Sequence, residues 1–184
     1  MSGSENASAS NNVDPDLSTH SLAEKNILPR GFRFAGVTCG IKPSGNPDLS
    51  LIVSDHPVVA AGVYTQNQVV AAPVILSRGR TPSHSIRAVI TNSGNANACT
   101  GEQGMLDATE MCEQVADLVG CTAENVLVMS TGIIGKPLPM DCVQQGIREA
   151  HEQLEATQAS FMRSAEAIRT TDKNRKTIIE TIEI

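Results

Sequence analysis

The sequence predicts an α/β or α+β layered fold in which a sheet lies between helices. Two observations predict it. Between residues 28 and about 92, the chain has short segments of alternating or β-branched apolar residues, which are typical of strands. From residue 102 onward, apolar residues recur at steps of three and four, which is typical of amphipathic helices. Because each kind of element has to bury an apolar face, the helices should cover the sheet.

The first half of the chain is predicted to form short strands. DLSLIVSD (48–55) alternates apolar and polar residues, and AGVYTQN (61–67), VVAAPVILS (69–77) and IRAVITN (86–92) follow it. Pro73 predicts an edge strand or a bulge for the third of these, because proline cannot donate to a sheet. Residues 1–27 are rich in Ser, Asn, Asp and Ala without periodicity, so we expect a disordered tail followed by one domain over 28–184.

The second half is predicted to alternate helices with strands. One apolar face runs through residues 102–119, and Gly120 should end that helix. ENVLVMS (124–130) predicts a buried strand, and two further amphipathic helices are expected over 139–155 and 157–168. The last segment, KTIIETIEI (176–184), predicts another strand, with Ile178, Ile182 and Ile184 on one face.

Composition excludes several classes of function. The net charge is -6 and basic residues do not cluster, so nucleic acid and anionic membrane surfaces are poor partners. No apolar run approaches the roughly 20 residues of a membrane span, and the first residues do not form a secretory signal, so a cytoplasmic location is expected. Five cysteines without a CxxC pair predict small buried apolar side chains rather than a zinc site or disulfides. No metal or cofactor is expected.

Three polar segments are candidates for chemistry. The first, NSGNANACTG (92–101), follows a strand and opens a helix, and its glycines and asparagines suit tight turns near a helix N-terminus. The alternative is an ordinary capped loop; a nucleotide site is a weaker possibility, since no phosphate-binding motif is present. The third, Thr170-Thr171-Asp172, follows a helix and could hold a polar substrate, but its composition also suits a plain loop.

The second segment is Ser130-Thr131-Gly132, which follows a predicted buried strand and precedes two prolines. It offers hydroxyls, backbone amides and little side-chain bulk. Acyl transfer passes through a tetrahedral intermediate with a negative oxygen, and a hydroxyl paired with a backbone N–H can stabilise that oxygen by several kcal/mol. Gly132 would allow the acyl group to approach the backbone. A plain turn between strand and helix is the alternative.

Together, these segments resemble a known family. From Arg30 onward, the chain resembles the N-terminal part of the ornithine acetyltransferase, or glutamate N-acetyltransferase, family of arginine biosynthesis. The resemblance is carried by GFRFAGVTCGIK (31–42), LIVSDHPVVAAGVYTQN (51–67), AAPVILS (71–77), NSGNANACTGEQG (92–104), MSTGIIGKPLPMD (129–141) and AIRTTDKNRK (167–176). Each motif alone is weak, but their joint order and spacing are specific.

The resemblance implies an acyltransferase made as one precursor, which cuts itself before a threonine into α and β chains. That threonine takes an acetyl group from N-acetylornithine and passes it to glutamate. Thr131 and Gly132 match the family's oxyanion hole, and Thr170 matches a substrate-binding threonine. Two α and two β chains are expected to assemble as α2β2, with strands sandwiched between helices and the site where the chains meet. Use of acetyl-CoA as a second donor stays open.

The chain also departs from the family pattern. A strand ending at Ile184 looks unfinished, and the family's Lys-Gly segment, nucleophilic threonine and β chain do not follow it. The sequence therefore predicts an incomplete α-chain part that is inactive alone and active only when the missing residues and the β chain are supplied. The alternative is a catalytically inactive remnant that serves only as a binding or structural module.

Overall fold

The computed structural model describes residues 28–178, 180 and 182, so the expected tail over residues 1–27 lies outside the described residues. The described part contains four strands and four α-helices. In chain order they are β1 (Phe32–Val37), β2 (Leu49–Ala60), α1 (Ala72–Gly79), β3 (Ser83–Asn95), α2 (Gly101–Val119), β4 (Val126–Ile133), α3 (Met140–Glu152) and α4 (Gln158–Ala167).

The four strands form one mixed sheet in the order β1-β2-β3-β4. The first three pair antiparallel, whereas β4 pairs parallel to β3 after the α2 crossover. Consequently, the end of β1, the start of β2 and the ends of β3 and β4 all lie at the same end of the sheet. The loops that follow β1, β3 and β4 therefore converge there, and we refer to this end as the loop end.

One face of the sheet is the main core. Side chains on alternate positions of the strands point to it, and α2 and α3 cover them with their apolar faces. The largest fully buried members are aliphatic or sulfur-containing: Leu49, Leu51, Val53, Ile90, Met111, Val115, Val126, Val128, Val143 and Ile147. Aromatic residues are absent from this cluster, which agrees with the three phenylalanines and one tyrosine of the whole sequence.

The helix α4 lies on the opposite face, against β1 and β2. Phe34 packs edge-on against Phe161, with ring centroids 5.3 Å apart. The hydroxyls of Ser50 and Ser164 form a buried hydrogen bond of 2.7 Å. Since Phe34 and Ser50 alternate with core residues of their strands, α4 and the pair α2–α3 are separated by the sheet. The predicted α/β layering, with strands between helices, is confirmed.

The predicted strand over 69–77 is wrong, because residues 72–79 form the helix α1. Pro73 lies in the first turn of this helix, where a missing N–H is no loss and the proline ring favours helical backbone. The Ser77 hydroxyl both donates to the Val128 carbonyl at 2.7 Å and accepts from its N–H at 3.1 Å. The helix α1 thus covers part of the outer edge of β4.

Two other strand predictions also differ from the structure. Residues 61–67 have no regular secondary structure, and Tyr64 anchors them through a 2.6 Å hydrogen bond to the Thr81 hydroxyl. In the last segment, residues 176–178, 180 and 182 have no regular structure, and Ile184 lies outside the described residues. A strand needs a neighbouring strand for its backbone hydrogen bonds, and no described strand pairs with this segment.

The three helices predicted in the second half are confirmed with end shifts of a few residues. Gly120 ends α2 in the left-handed conformation, as expected. Thr157 and Ser160 form a reciprocal capping box at the start of α4. Across the described ranges, none of the helices is both long enough and apolar enough to cross a bilayer.

Candidate active site at the loop end of the sheet

The parallel pairing of β3 with β4 brings two of the three candidate segments together. Ser93 lies opposite Thr131 in the register, and Gly94 lies opposite Gly132. The asparagine-rich loop and the Ser-Thr-Gly segment are therefore side by side, although Gly94 and Thr131 are 37 positions apart in the sequence. Ser130, Thr131 and Gly132 form the end of β4 rather than a turn outside it.

The backbone of Gly132 points to the open edge of the sheet. Both Thr131 and Ile133 pair with Asn95 of β3, so the intervening Gly132 directs its N–H and carbonyl to the other side. No strand lies on that side of β4 within the described residues, and no described acceptor bonds to this N–H. The Thr131 side chain is exposed and has no hydrogen-bond partner among the described residues. A hydroxyl and a backbone donor are thus available on adjacent residues.

Gly132 also has a structural role that sequence analysis did not predict. Its φ is +139°, and a Cβ atom added to it would lie 2.3 Å from the Gly94 carbonyl carbon and 2.5 Å from the Asn95 nitrogen. Gly94 itself has a φ of +100°. The two strand ends therefore approach each other at a distance that only glycine allows.

The asparagine-rich loop fixes the strand that carries Thr131. The Ser130 hydroxyl donates to the Asn92 side-chain oxygen at 2.5 Å, and Asn92 donates to the Asn95 carbonyl at 2.8 Å. The Asn95 side-chain NH₂ donates to the carbonyls of Lys136 and Pro137 at 3.1 and 3.0 Å. These asparagines are buried, so their amides replace water as partners for the backbone that leaves β4.

Asn97 secures the other end of this loop against α2. Its side-chain NH₂ donates to the Gly104 carbonyl at 2.7 Å, and its oxygen accepts from the Thr100 hydroxyl at 2.7 Å. Asn97 and Cys99 both adopt the left-handed conformation, with φ of 45° and 57°. Hydrogen bonds therefore fix the loop at both ends. Thr100 precedes α2 but makes no side-chain cap hydrogen bond to it, so the loop differs from an ordinary capped loop.

Replacing Asn95 by Asp tests whether these amides hold the site. The carboxylate keeps the shape but loses the two N–H donors and faces two carbonyl oxygens. We expect the free energy of unfolding in urea to fall by about 1–3 kcal/mol. Asn46→Asp is the matched control, because Asn46 is exposed in a loop of the same end and its side chain makes no hydrogen bond within the described residues. Equal, small changes in both variants would show that Asn95 does not support the strand exit.

Thr170 lies beyond α4 and is exposed. The preceding helix end is tied to the sheet by the Ser93 hydroxyl, which donates to the Ala167 carbonyl in a short hydrogen bond. Arg169 stabilises the turn that follows, because its side chain donates to the carbonyls of Asp172 and Lys173 at 2.6 and 2.8 Å. Because Ser93 is also the register neighbour of Thr131, the segment carrying Thr170 leaves α4 close to the end of β4.

A groove of about 300 Å³ joins these two parts of the site. It runs over the sheet face that α4 leaves uncovered. Its polar wall includes Ser130 and Thr131 from β4 and Ser164 from α4, and its apolar wall includes Met129 and Ile168. The structure thus places Thr131 in a groove that extends toward the end of α4, where the segment that carries Thr170 begins.

Sequence analysis missed the loop between β1 and β2. Asp48 is fully buried there, and its carboxylate accepts from the backbone N–H groups of Cys39, Gly40 and Lys42 at 2.7, 3.1 and 2.9 Å. The Asp48 carbonyl accepts from the Ser93 N–H at 2.8 Å, so this loop is bonded directly to the end of β3. The available signal was the density of Gly and Pro over residues 40–47, which indicates a shaped turn.

The prediction that the cysteines are buried is confirmed in part. Cys112 is buried and Cys39, Cys121 and Cys142 are half-buried, but Cys99 is exposed in the asparagine-rich loop. Burial, reinforced by the neighbouring Asp48 charge, raises the pKa of the Cys39 thiol well above its ordinary value. Among the described residues, no three Cys, His, Asp or Glu side chains are grouped closely enough to hold a metal ion.

Comparison with known proteins identifies the family. The model of the ArgJ family matches residues 33–184. This chain belongs to the ArgJ family. It is 58% identical over 158 residues to the arginine biosynthesis bifunctional protein ArgJ of Rhodopirellula baltica, covering 86% of this chain and 38% of the relative. The protein of the same name from Symbiobacterium thermophilum is 50% identical over 165 residues, covering 89% of this chain and 40% of the relative.

Solved structures of the ArgJ family share this fold. The ornithine acetyltransferase of Mycobacterium tuberculosis, solved in complex with ornithine, superimposes with a TM-score of 0.77 at 43% identity, covering 79% of each chain. ArgJ of Bacillus halodurans gives a TM-score of 0.74 at 40% identity, covering 79% of this chain and 75% of that one. The chain spans about two fifths of the length of the curated relatives that it matches.

Proposed function

We propose that this chain is the α-chain part of a glutamate N-acetyltransferase. The enzyme would move the acetyl group of N2-acetylornithine to glutamate through an acyl-threonine intermediate, as a step of arginine biosynthesis. Family membership supports an acyltransferase of this pathway, and the ornithine complex of the M. tuberculosis relative supports an amino-acid substrate. A cytoplasmic location stays a prediction.

The observation that carries the proposal is the pair of free donors at the end of β4. In each acyl transfer, the carbonyl oxygen becomes negative as the nucleophile adds. The Thr131 hydroxyl and the outward Gly132 N–H would donate to that oxygen, while the Gly132–Gly94 contact keeps the N–H in a fixed direction. Donors that are already oriented need no rearrangement during the reaction, which is why such groups lower the barrier by several kcal/mol.

The nucleophile in this proposal is the first threonine of a β chain cut from the same precursor. Its hydroxyl oxygen attacks the acetyl carbonyl of N2-acetylornithine, and the carbon–nitrogen bond breaks as ornithine leaves with a proton on its amine. The glutamate amine then attacks the threonine ester, and the threonine hydroxyl is regenerated. The α-amine of that threonine is the expected base for both proton transfers. Thr170 would contact the substrate from the end of α4, and two copies of each chain would form α2β2.

An acetyl-transfer assay tests this function. The protein is expressed from its native genomic locus, purified, and given N2-acetylornithine and glutamate; we expect N-acetylglutamate and ornithine to form in equal amounts. Omitting glutamate should leave an acetylated protein that intact mass spectrometry detects. A separate reaction with acetyl-CoA decides whether a second donor is used. No product and no acetylated protein would instead support the catalytically inactive binding or structural module.

A further inference from the structure

Ser93 joins the two walls of the groove that contains Thr131. Its backbone lies opposite Thr131 in the β3–β4 register, and its hydroxyl donates to the Ala167 carbonyl at the end of α4. Ile168, the next residue of the chain, belongs to the apolar wall of the groove. A single side chain between β4 and α4 therefore connects one wall to the other.

The end of α4 needs the hydrogen bond that this hydroxyl supplies. Ala167 is the last residue of the helix, so its carbonyl has no N–H partner within the helix. Ser93 and Ala167 are both fully buried, so water does not reach this carbonyl. Without the Ser93 hydroxyl, a buried acceptor would lose its donor, which costs more than the loss of an exposed hydrogen bond.

Two other small residues of the sheet hold the turn of α4 that precedes Ala167. A Cβ atom added to Gly36 of β1 would lie 2.7 Å from the Ser164 nitrogen, so the helix backbone rests directly on this strand. The Ser50 hydroxyl of β2 hydrogen-bonds to the Ser164 hydroxyl at 2.7 Å. The bond from Ser93 of β3 extends these contacts to the helix end itself.

The proposed oxyanion donors are held by different contacts. The Ser130 hydroxyl donates to the Asn92 side chain, and the Gly132 backbone packs against that of Gly94. Neither contact uses the Ser93 hydroxyl. Loss of that hydroxyl should therefore shift the wall formed by α4 and leave the donors at the end of β4 in place.

We propose that Ser93 is a positioning residue for substrate binding, because it holds the end of α4 at a fixed distance from Thr131 and so sets the width of the groove. This inference rests on the proposed acetyl transfer in that groove. A wall that contacts the substrate equally in the ground state and in the transition state changes KM and leaves kcat unchanged. The effect of Ser93 thus differs from that of Thr131 and Gly132, whose donors act on the transition state.

Steady-state kinetics of the wild-type enzyme and of Ser93→Ala, both expressed from the native locus, test this role. We expect KM for N2-acetylornithine to rise about five- to fiftyfold in Ser93→Ala, while kcat stays within about threefold of the wild-type value. KM does not depend on the fraction of enzyme that is folded, so a partly unfolded variant still gives an answer. Ser93→Cys keeps a weak donor and should give a KM between the other two.

Ser160→Ala is the matched control. Ser160 is also fully buried, but its hydroxyl donates to the Glu155 carbonyl at the start of α4, the opposite end from Ala167. This variant should lose a similar amount of stability in urea and keep the wild-type KM. An unchanged KM in Ser93→Ala, or an equal rise in both variants, would overturn the positioning role.

Hydrogen exchange followed by mass spectrometry separates this inference from the proposed function. The backbone amides of residues 168–173 should exchange about fivefold or more faster in Ser93→Ala than in the wild type or in Ser160→Ala. Unchanged exchange there would show that Ser93 does not hold the helix end. A wild-type enzyme that transfers no acetyl group would instead contradict the proposed function, and the exchange rates would still decide whether Ser93 anchors α4.

Discussion

Replacing Gly132 by Ala is expected to reduce both stability and turnover more than any other single change at the site. The new Cβ would lie 2.3 Å from the Gly94 carbonyl carbon, so the ends of β3 and β4 have to separate. The φ of +139° adds backbone strain for any residue with a side chain. We expect the free energy of unfolding to fall by about 3 kcal/mol or more, from overpacking combined with this strain.

The same substitution should lower turnover by about a hundredfold or more, because displacement of a catalytic group by roughly 1 Å has effects of that size. Gly135→Ala is the matched control. Gly135 also has a positive φ, of 78°, but a Cβ there meets no atom within 4 Å. It should cost about 1–2 kcal/mol of stability and leave turnover close to that of the wild type. If both variants lose the same stability, the contact between Gly132 and Gly94 is not what holds the strand ends together.

Replacing Thr131 by Ala is expected to lower turnover of the complete enzyme by roughly ten- to a thousandfold. The variant lacks one of the two proposed donors to the negative oxygen of the intermediate. Stability should hardly change, since the Thr131 side chain is exposed and makes no hydrogen bond within the described residues. Steady-state kinetics with N2-acetylornithine and glutamate, together with urea unfolding, measures both effects.

Thr122→Ala serves as the control for this variant. Thr122 is exposed just before β4 begins, so it lies at the opposite end of that strand from Thr131, and its hydroxyl donates to the Asn125 side chain. Its loss should leave turnover unchanged. Wild-type turnover in Thr131→Ala would contradict the role of this hydroxyl, whereas a large loss of stability would mean that the kinetic effect reports on folding.

The sequence predicted the helices of the second half because their signal is local. Apolar residues at steps of three and four, with Gly120 after the first helix, indicate both type and extent. The helix α1 was mistaken for a strand because Val and Ile are common in strands. Its buried Ser77 bonds to Val128 of β4, which lies 51 positions later in the sequence. A contact over that distance produces no periodic pattern of apolar residues that would reveal the helix.

The candidate site likewise has features that the sequence predicts and features that depend on contacts between distant residues. The segments that contain Thr131, Gly132 and Thr170 were selected by their polar composition, the resemblance to a family assigned their roles, and those roles stay predictions. The close contact of Gly132 with Gly94 could not be predicted, since it depends on the register between two parallel strands. The loop between β1 and β2 was missed because its contacts are made with Ser93 and Gly94 of β3, which follow much later in the sequence.

The central claim is that this chain works with a self-cleaved partner that supplies the nucleophile. Intact mass spectrometry of the protein from its native source, with N-terminal sequencing of every chain that co-purifies, tests it most directly. The account predicts a partner chain that begins with threonine and becomes acetylated on incubation with N2-acetylornithine. A protein that purifies without such a partner and gains no acetyl group would contradict it.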